Sequence, residues 1–220
     1  MTRAVIFDVD GVLVHGYHAR PDLHESFDDK LRALGINADR FQREFIHDIF
    51  MKRVLIGEVP MIEALDRRLK AFGYKGPTMA VHDLWMSHDC FPNSPMLDTV
   101  RKLKAHPDVK LYLATNQDHS RAQFLWQSLG LRDIFEDMFY SARFGRTKGH
   151  KKFYEMAEAR MPTSELPPLF FDDTPKVVDA ARKHGWDTVL FGTLEDCTSH
   201  PWIAERLGTA QQQTSPSADG

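Results

Sequence analysis

Two short apolar runs at opposite ends of the chain each finish in a pair of carboxylates. They are FDVDGVLV (Phe7 to Val14) and LFFDDTP (Leu169 to Pro175). Ala4 to Phe7 and Leu169 to Phe171 read as buried strands. In an open parallel sheet the carboxyl ends of the strands line the ligand crevice, so both acidic pairs would project into one site. Two like charges ~4 Å apart repel by about 4 kcal/mol at an effective dielectric of ~20. Asp8, Asp10, Asp172 and Asp173 sharing a crevice therefore call for a multivalent cation. This pattern fits a metal site built for phosphate.

Between the first strand and the rest of the chain the apolar spacing turns helical, roughly from Pro21 to Ser87. Leu23, Phe27, Leu31 and Leu34 share one helical face before Gly35; Phe41, Phe45 and Ile49 form a second stripe, widened by Ile46 and Phe50. Ile62, Leu65, Leu69 and Phe72 form a third before Gly73, and Met79 to Met86 a fourth helix. Stripes at this spacing are helix-packing core. The remainder alternates. A helix opens at Ser94-Pro95 and runs to about Ala105, with Ser94 expected as its cap. Lys110 to Ala114 reads as a strand, Ser120 to Leu129 as a helix closed by Gly130, and Phe139 to Ala142 as a short strand. Lys151 to Arg160 follows as a helix and Pro168 to Phe171 as a strand; Thr174-Pro175 opens a helix to His184, and Thr188 to Phe191 is the last strand. Near-continuous apolar strands separated by helices argue for a parallel sheet covered on both faces. The fold class is α/β: a doubly wound, Rossmann-like parallel-sheet core over 1–14 and 94–208, an inserted all-helical cap over 15–93, and a disordered tail over 209–220.

At 220 residues the chain suits a core with one smaller appendage. Its net charge of −3 and scattered lysines argue against nucleic acid as a partner. No apolar run has the length of a membrane span. Cys90 and Cys197 are far apart without ligand spacing, which suits reduced thiols. With a strand expected from Ala4, no leader peptide is expected, and the expected location is cytoplasmic. The oligomeric state is open, with a monomer compatible.

Asp8 and Asp10 flank Val9 at the end of the first strand, and Gly11 lets the chain turn. A carboxylate can attack phosphorus to form an aspartyl-phosphate that water later hydrolyses. A second carboxylic acid can protonate the leaving oxygen and then deprotonate the attacking water. Alone, D-x-D-G is also an ordinary polar turn. Thr115 and Asn116 follow the second strand, where a hydroxyl and an amide can hold phosphate oxygens or simply form a turn. Lys148, in GRTKGHKKFYE, is either a solvated surface lysine or a cation balancing the carboxylates and a phosphoryl group. Lys151 and Lys152 read as surface. Magnesium takes one or two carboxylates and keeps several waters. Asp8, Asp173 and the backbone carbonyl of Asp10 would form such a partial shell, with Asp172 orienting a metal-bound water or supporting Lys148.

Taken together in this order, FDVDGVLV, LYLATN, Lys148 and FFDDTP resemble the four motifs of the haloacid dehalogenase (HAD) superfamily, in its members with a helical C1-type cap between the first and second motifs. The resemblance covers about Ala4 to Phe191. It implies Asp8 as nucleophile, Asp10 as general acid/base, phosphate binding by Thr115, Asn116 and Lys148, and Mg²⁺ bound through Asp8, Asp10 and Asp173. The implied activity is that of a Mg²⁺-dependent phosphatase acting on a small phosphorylated metabolite such as a sugar phosphate. A phosphomutase resembling beta-phosphoglucomutase is the alternative within the superfamily, and a non-catalytic phosphometabolite-binding protein the alternative outside it. Dehalogenases of the superfamily lack the second aspartate, its ATPase pumps carry Thr there and need membrane spans, and a receiver domain lacks an inserted cap. Two departures fall where cap meets core: Gly149 follows Lys148 where many relatives have Pro, and His15-Gly16 follows Val14 where many have Asp-Ser.

Other candidates read more simply as structure. His15, His18 and His24 match no metal motif and read as polar hinge residues. Lys52, Arg53 and Lys75 could grip a distal anion but read as a solvated face. Trp85 and Phe91 are expected to pack at the cap–core junction.

Overall fold

The apolar runs become five strands of one sheet: β1 (Arg3–Phe7), β2 (Val109–Thr115), β3 (Asp137–Tyr140), β4 (Leu169–Asp172) and β5 (Asp187–Leu190). Their spatial order is β3-β2-β1-β4-β5, and every pairing is parallel. The computed structural model describes residues 2–15, 21–88 and 90–208. His18 and the tail from Thr209 lie outside the described residues, as do the side chains of Leu23 and His24.

Alternate side chains of each central strand enter two separate cores. Val5, Phe7, Leu111, Leu113, Leu169 and Phe171 pack on one face against Met96, Val100 and Leu103 of α5 (Ser94–Lys104). Ile6, Tyr112 and Phe170 pack on the other face against Phe153, Tyr154 and Ala157 of α8 (Lys151–Glu158) and Val177 and Ala181 of α9 (Pro175–His184). Covering both faces explains why these strands are apolar without a break.

The insertion after β1 contains α1 (Pro21–Ala33), α2 (Ala38–Phe41) winding on as a π-helix (Gln42–Val54), α3 (Met61–Ala71) and α4 (Thr78–His88). It has its own core, which includes Phe27, Leu31, Phe41, Phe45, Leu65, Leu69 and Trp85. Trp85 is not the junction residue it was expected to be. Its ring stands 5.1–6.4 Å from those of Phe27, Phe41, Phe45 and Phe50, inside the cap. Leu34 also departs from its stripe. It lies past the end of α1 and is exposed, and Ile36 fills the core instead.

Two local expectations are corrected. The strand expected over Phe139 to Ala142 stops at Tyr140, because Ser141–Phe144 turns into the short helix α7 closed by Gly145 at φ 65°. The buried Ser141 hydroxyl, 2.6 Å from Leu55 O, ties that turn to the cap. The cap of α5 is Asn93 rather than Ser94; its backbone N–H donates to Leu13 O and its side-chain amide to Val12 O at 2.9 Å.

The two links between insertion and core run side by side. Val14 bridges Pro92 in antiparallel fashion, and His15 N–H donates to Phe91 O at 2.8 Å. Phe91 thus does sit at the junction. On the other side, His82 of α4 hydrogen-bonds the hydroxyl of Ser120 in α6 (His119–Gln123), a helix that winds on as a π-helix (Phe124–Ser128). No helix among the described residues is long and apolar enough to cross a membrane.

Candidate active site

Register places the first acidic residue. Phe7 pairs with Phe171 and with Leu113, and Asp8 N–H continues the ladder to Phe171 O at 2.9 Å. Asp8, Thr115 and Asp172 therefore stand at the carboxyl ends of three neighbouring strands. Asp8 is 5% exposed, and its Oδ1 accepts from Val9 N–H at 2.7 Å. Gly11, at φ 82°, turns the chain immediately afterwards. A Cβ on Gly11 would lie 1.9 Å from Asp173 Oδ2, so only glycine lets the fourth carboxylate come so close to the first loop.

Lys148 is not a surface lysine. It is 2% exposed, and its Nζ lies 2.5 Å from Asp8 Oδ2 and 2.7 Å from Asp172 Oδ2. Two contacts place it there. Lys148 N–H donates to Asn116 Oδ1 at 2.9 Å, and the Tyr154 hydroxyl donates to Lys148 O at 2.6 Å. Asn116 thus spends its side-chain oxygen on the lysine loop. Asp172 Oδ2 serves Lys148, while its Oδ1 accepts from Thr174 N–H at 2.9 Å. Of the two roles expected for Asp172, support of Lys148 is the one seen. Lys151 and Lys152 are exposed and pair with Glu155, as a solvated face should.

Asp8, Asp172 and Asp173 each offer an oxygen within 4.8 Å of the others. The donors are all hard carboxylate oxygens, the set that suits magnesium. Burial pushes the Asp8 carboxyl well above the usual range; Lys148 opposes this, while Asp172 and Asp10 add to it. Asp173 is raised by burial and by Asp172. Burial alone would lower the Lys148 ammonium, but Asp8 and Asp172 outweigh it and hold the group above its ordinary value. One lysine does not neutralise the cluster, and a divalent cation fits the charge that is left.

The Asp10 carboxylate turns away from this cluster. Its Oδ1 is 2.6 Å from Arg121 Nη2, and its Oδ2 accepts from Gln117 Nε2 at 2.5 Å. Gln117 Nε2 also donates to the Thr115 hydroxyl at 3.2 Å, and Thr115 itself is buried. Gln117 and Arg121 were missed in the sequence. A glutamine in a polar loop and an arginine on a helix carry no signal of their own, although their place just after Thr115-Asn116 was available to read.

The secondary candidates divide. Lys52 pairs with Asp48 and Arg53 with Glu58 on the exposed face of the cap, and Lys75 is exposed, so all three fit the solvated reading. His15 contributes its backbone to the hinge. Cys197 is buried in the sheet core, and burial pushes its thiol up to about 12.

A family model described as haloacid dehalogenase-like hydrolase matches residues 2–185. No curated protein matches the chain. Among solved structures, a predicted HAD-like family hydrolase from Porphyromonas gingivalis is similar with a TM-score of 0.71 at 21% identity, over 94% of this chain and 98% of that one. A HAD family enzyme from Bacteroides thetaiotaomicron, solved with magnesium and inorganic phosphate, is similar at 0.67 and 18% identity, over 86% and 93%. An L-2-haloacid dehalogenase is similar at 0.57 and 21% identity, over 86% and 83%. At these identities the likeness is one of fold.

Proposed function

Since this chain belongs to the haloacid dehalogenase-like hydrolase family, we propose that it is a Mg²⁺-dependent phosphatase of small phosphorylated metabolites, working through a phosphorylated Asp8. The observation that carries this reading is the buried Lys148 ammonium held between Asp8 and Asp172, with Asp173 close to both carboxylates: an anionic oxygen set with one fixed cation. Asp8, Asp173 and the Asp10 carbonyl hold the metal in this reading, with Asp172 beside them. The bound metal supplies charge neutralisation, letting a phosphoryl group approach a carboxylate.

The residues divide the work. Asp8 attacks phosphorus and the ester oxygen leaves with a proton from Asp10; Asp10 then takes a proton from the water that attacks the aspartyl-phosphate, freeing Asp8 and inorganic phosphate. In this reading Lys148, Thr115 and the Asn116 amide nitrogen hold phosphoryl oxygens. The presence of Asp10 favours phosphate ester over haloacid, since a departing halide needs no proton. We take residues 15–93 as the unit that closes over 1–14 and 94–208, excluding water and strengthening the electrostatics within.

A phosphate-release screen over sugar, nucleotide and glycolytic phosphates, with and without Mg²⁺ and with a 2-haloacid arm, tests the proposal. Release of phosphate that requires Mg²⁺ is expected, together with its loss in an Asp8→Asn variant that still folds. Full turnover in Asp8→Asn, or halide release instead of phosphate, would overturn it.

A further inference from the structure

The segment running from the end of β2 into α6 carries, besides Thr115 and Asn116, two buried side chains that the chemistry above does not use. Gln117 is 2% exposed and Arg121 4% exposed, and both end on the Asp10 carboxylate. In the Arg121–Asp10 pair the arginine side chain is 5% exposed and the aspartate 43%. The cation is the anchored partner, and the carboxylate is the one that faces solvent. A half-exposed carboxylate on a loop opened by a glycine has several rotamers within reach, and each costs little. Here both of its oxygens are held.

We propose that Arg121 and Gln117 are positioning residues that fix the Asp10 carboxyl for proton transfer. The inference rests on the phosphatase reading and deepens it. Each carboxylate oxygen has two lone pairs, so one contact to Arg121 on Oδ1 and one to Gln117 on Oδ2 leave capacity for a proton and for the leaving oxygen or water. One guanidinium N–H on Oδ1 and a second, uncharged donor on Oδ2 define the carboxyl plane, which a single contact would leave free to rotate. The clamp is itself braced. Asp118 Oδ1 accepts from Ser120 N–H at 2.8 Å and Arg121 N–H at 3.4 Å, starting α6 where Arg121 can reach back. Gln117 is tied to the Thr115 hydroxyl at 3.2 Å. One segment, from the end of β2 into α6, therefore sets the expected phosphate site and the proton donor relative to each other. The bond that Asp10 helps break is phosphorus to ester oxygen. The proton goes from Asp10 to that oxygen and returns to Asp10 from the attacking water.

A graded set of leaving groups reads this role, because a stable anion departs without a proton and a poor one does not. The test compares kcat/KM of the full chain with Mg²⁺ on phenyl, 4-nitrophenyl and 2,4-dinitrophenyl phosphate, for wild type, Arg121→Met, Arg121→Lys and Gln117→Leu. Loss of general acid assistance is expected to cost about 100-fold or more on phenyl phosphate in Arg121→Met, with a smaller loss in Gln117→Leu. On 2,4-dinitrophenyl phosphate all variants should stay within about threefold of wild type, and Arg121→Lys should recover part of the loss on phenyl phosphate. Should Arg121→Met fail to fold, the uncharged Gln117→Leu carries the same comparison. Equal proportional losses on all three esters, with wild type active, would overturn the positioning role while leaving the phosphatase reading intact. A wild type that releases no phosphate from any ester or from the metabolite screen would overturn the underlying reading and this inference with it.

Discussion

At the scale of single residues, the site depends on Lys148, buried against its preference, and on Gly11, which leaves room where a side chain could not fit. Lys148 is buried against Asp8 and Asp172 at 2.5 and 2.7 Å. Breaking a buried ion pair by removing one partner costs about 3–5 kcal/mol, because the remaining charge stays desolvated. Lys148→Met should lose stability on that scale in urea unfolding, and Mg²⁺ should restore more of it than it adds to wild type, since another cation then serves the same carboxylates. A Mg²⁺ increment no larger than in wild type would count against a shared metal site. Gly11 works through what it lacks. At φ 82° and with Asp173 Oδ2 1.9 Å from where a Cβ would sit, Gly11→Ala must push that carboxylate aside. Mg²⁺ affinity measured by calorimetry should fall tenfold or more, a change of about 1.4 kcal/mol or greater. The acidic residues and Lys148 were legible in the sequence because strand ends and a fixed motif order point to them. Gln117 and Arg121 were not, because their meaning lies in the side chain they touch. Asn116 was read only in part, since the use of its oxygen on the Lys148 loop depends on a tertiary contact.

At the scale of elements, periodicity revealed which helices exist but not always where they point. Phe27, Phe41, Phe45, Leu65 and Leu69 were correctly read as core. Trp85 was assigned to the wrong interface because a stripe shows that a residue is buried without showing against what. The Phe139 to Ala142 run ended early because Ser141 meets a carbonyl from the cap, a contact no local window contains. The three apolar clusters do not share residues, and the cap's is built on aromatic rings around Trp85. Trp85→Ala should therefore cost about 3–5 kcal/mol, but locally. Hydrogen exchange is expected to quicken in α1, α3 and α4 while amides of β1, β2 and β4 keep their protection. Equal loosening of the sheet would show that cap and core unfold as one unit.

At the scale of the whole molecule, the parallel sheet and its insertion were legible, whereas the strand order β3-β2-β1-β4-β5 was not, because it is set by crossovers rather than by any segment's own pattern. The first strand and the last described helix also close on each other through contacts invisible in sequence. Arg3 pairs with Asp187 at 2.6 Å and lies over the Trp202 ring. Arg206, in the helix Pro201–Leu207, covers the other end of that arrangement, with its guanidinium over Trp202 and its Nε 3.1 Å from Asp108 Oδ2. Asp108 precedes β2, so this pair docks the last described helix onto the start of a central strand. The Arg206 hydrogen bond holds the Asp108 carboxyl below its ordinary value against a smaller opposing effect of burial, with the guanidinium charge adding to the lowering. A carboxylate whose folded pKa is depressed contributes stability above its unfolded pKa, near ~4, and loses it as pH falls through the folded value. Asp108→Asn keeps an oxygen for Arg206 but no charge. It should be less stable than wild type at neutral pH, and the gap should close as pH falls through the acidic range, because protonation removes from wild type the charge the variant already lacks. Urea unfolding at stepped pH checks this. A gap that stayed constant down to the lowest pH would mean that Asp108 holds the Pro201–Leu207 helix by shape and not by charge.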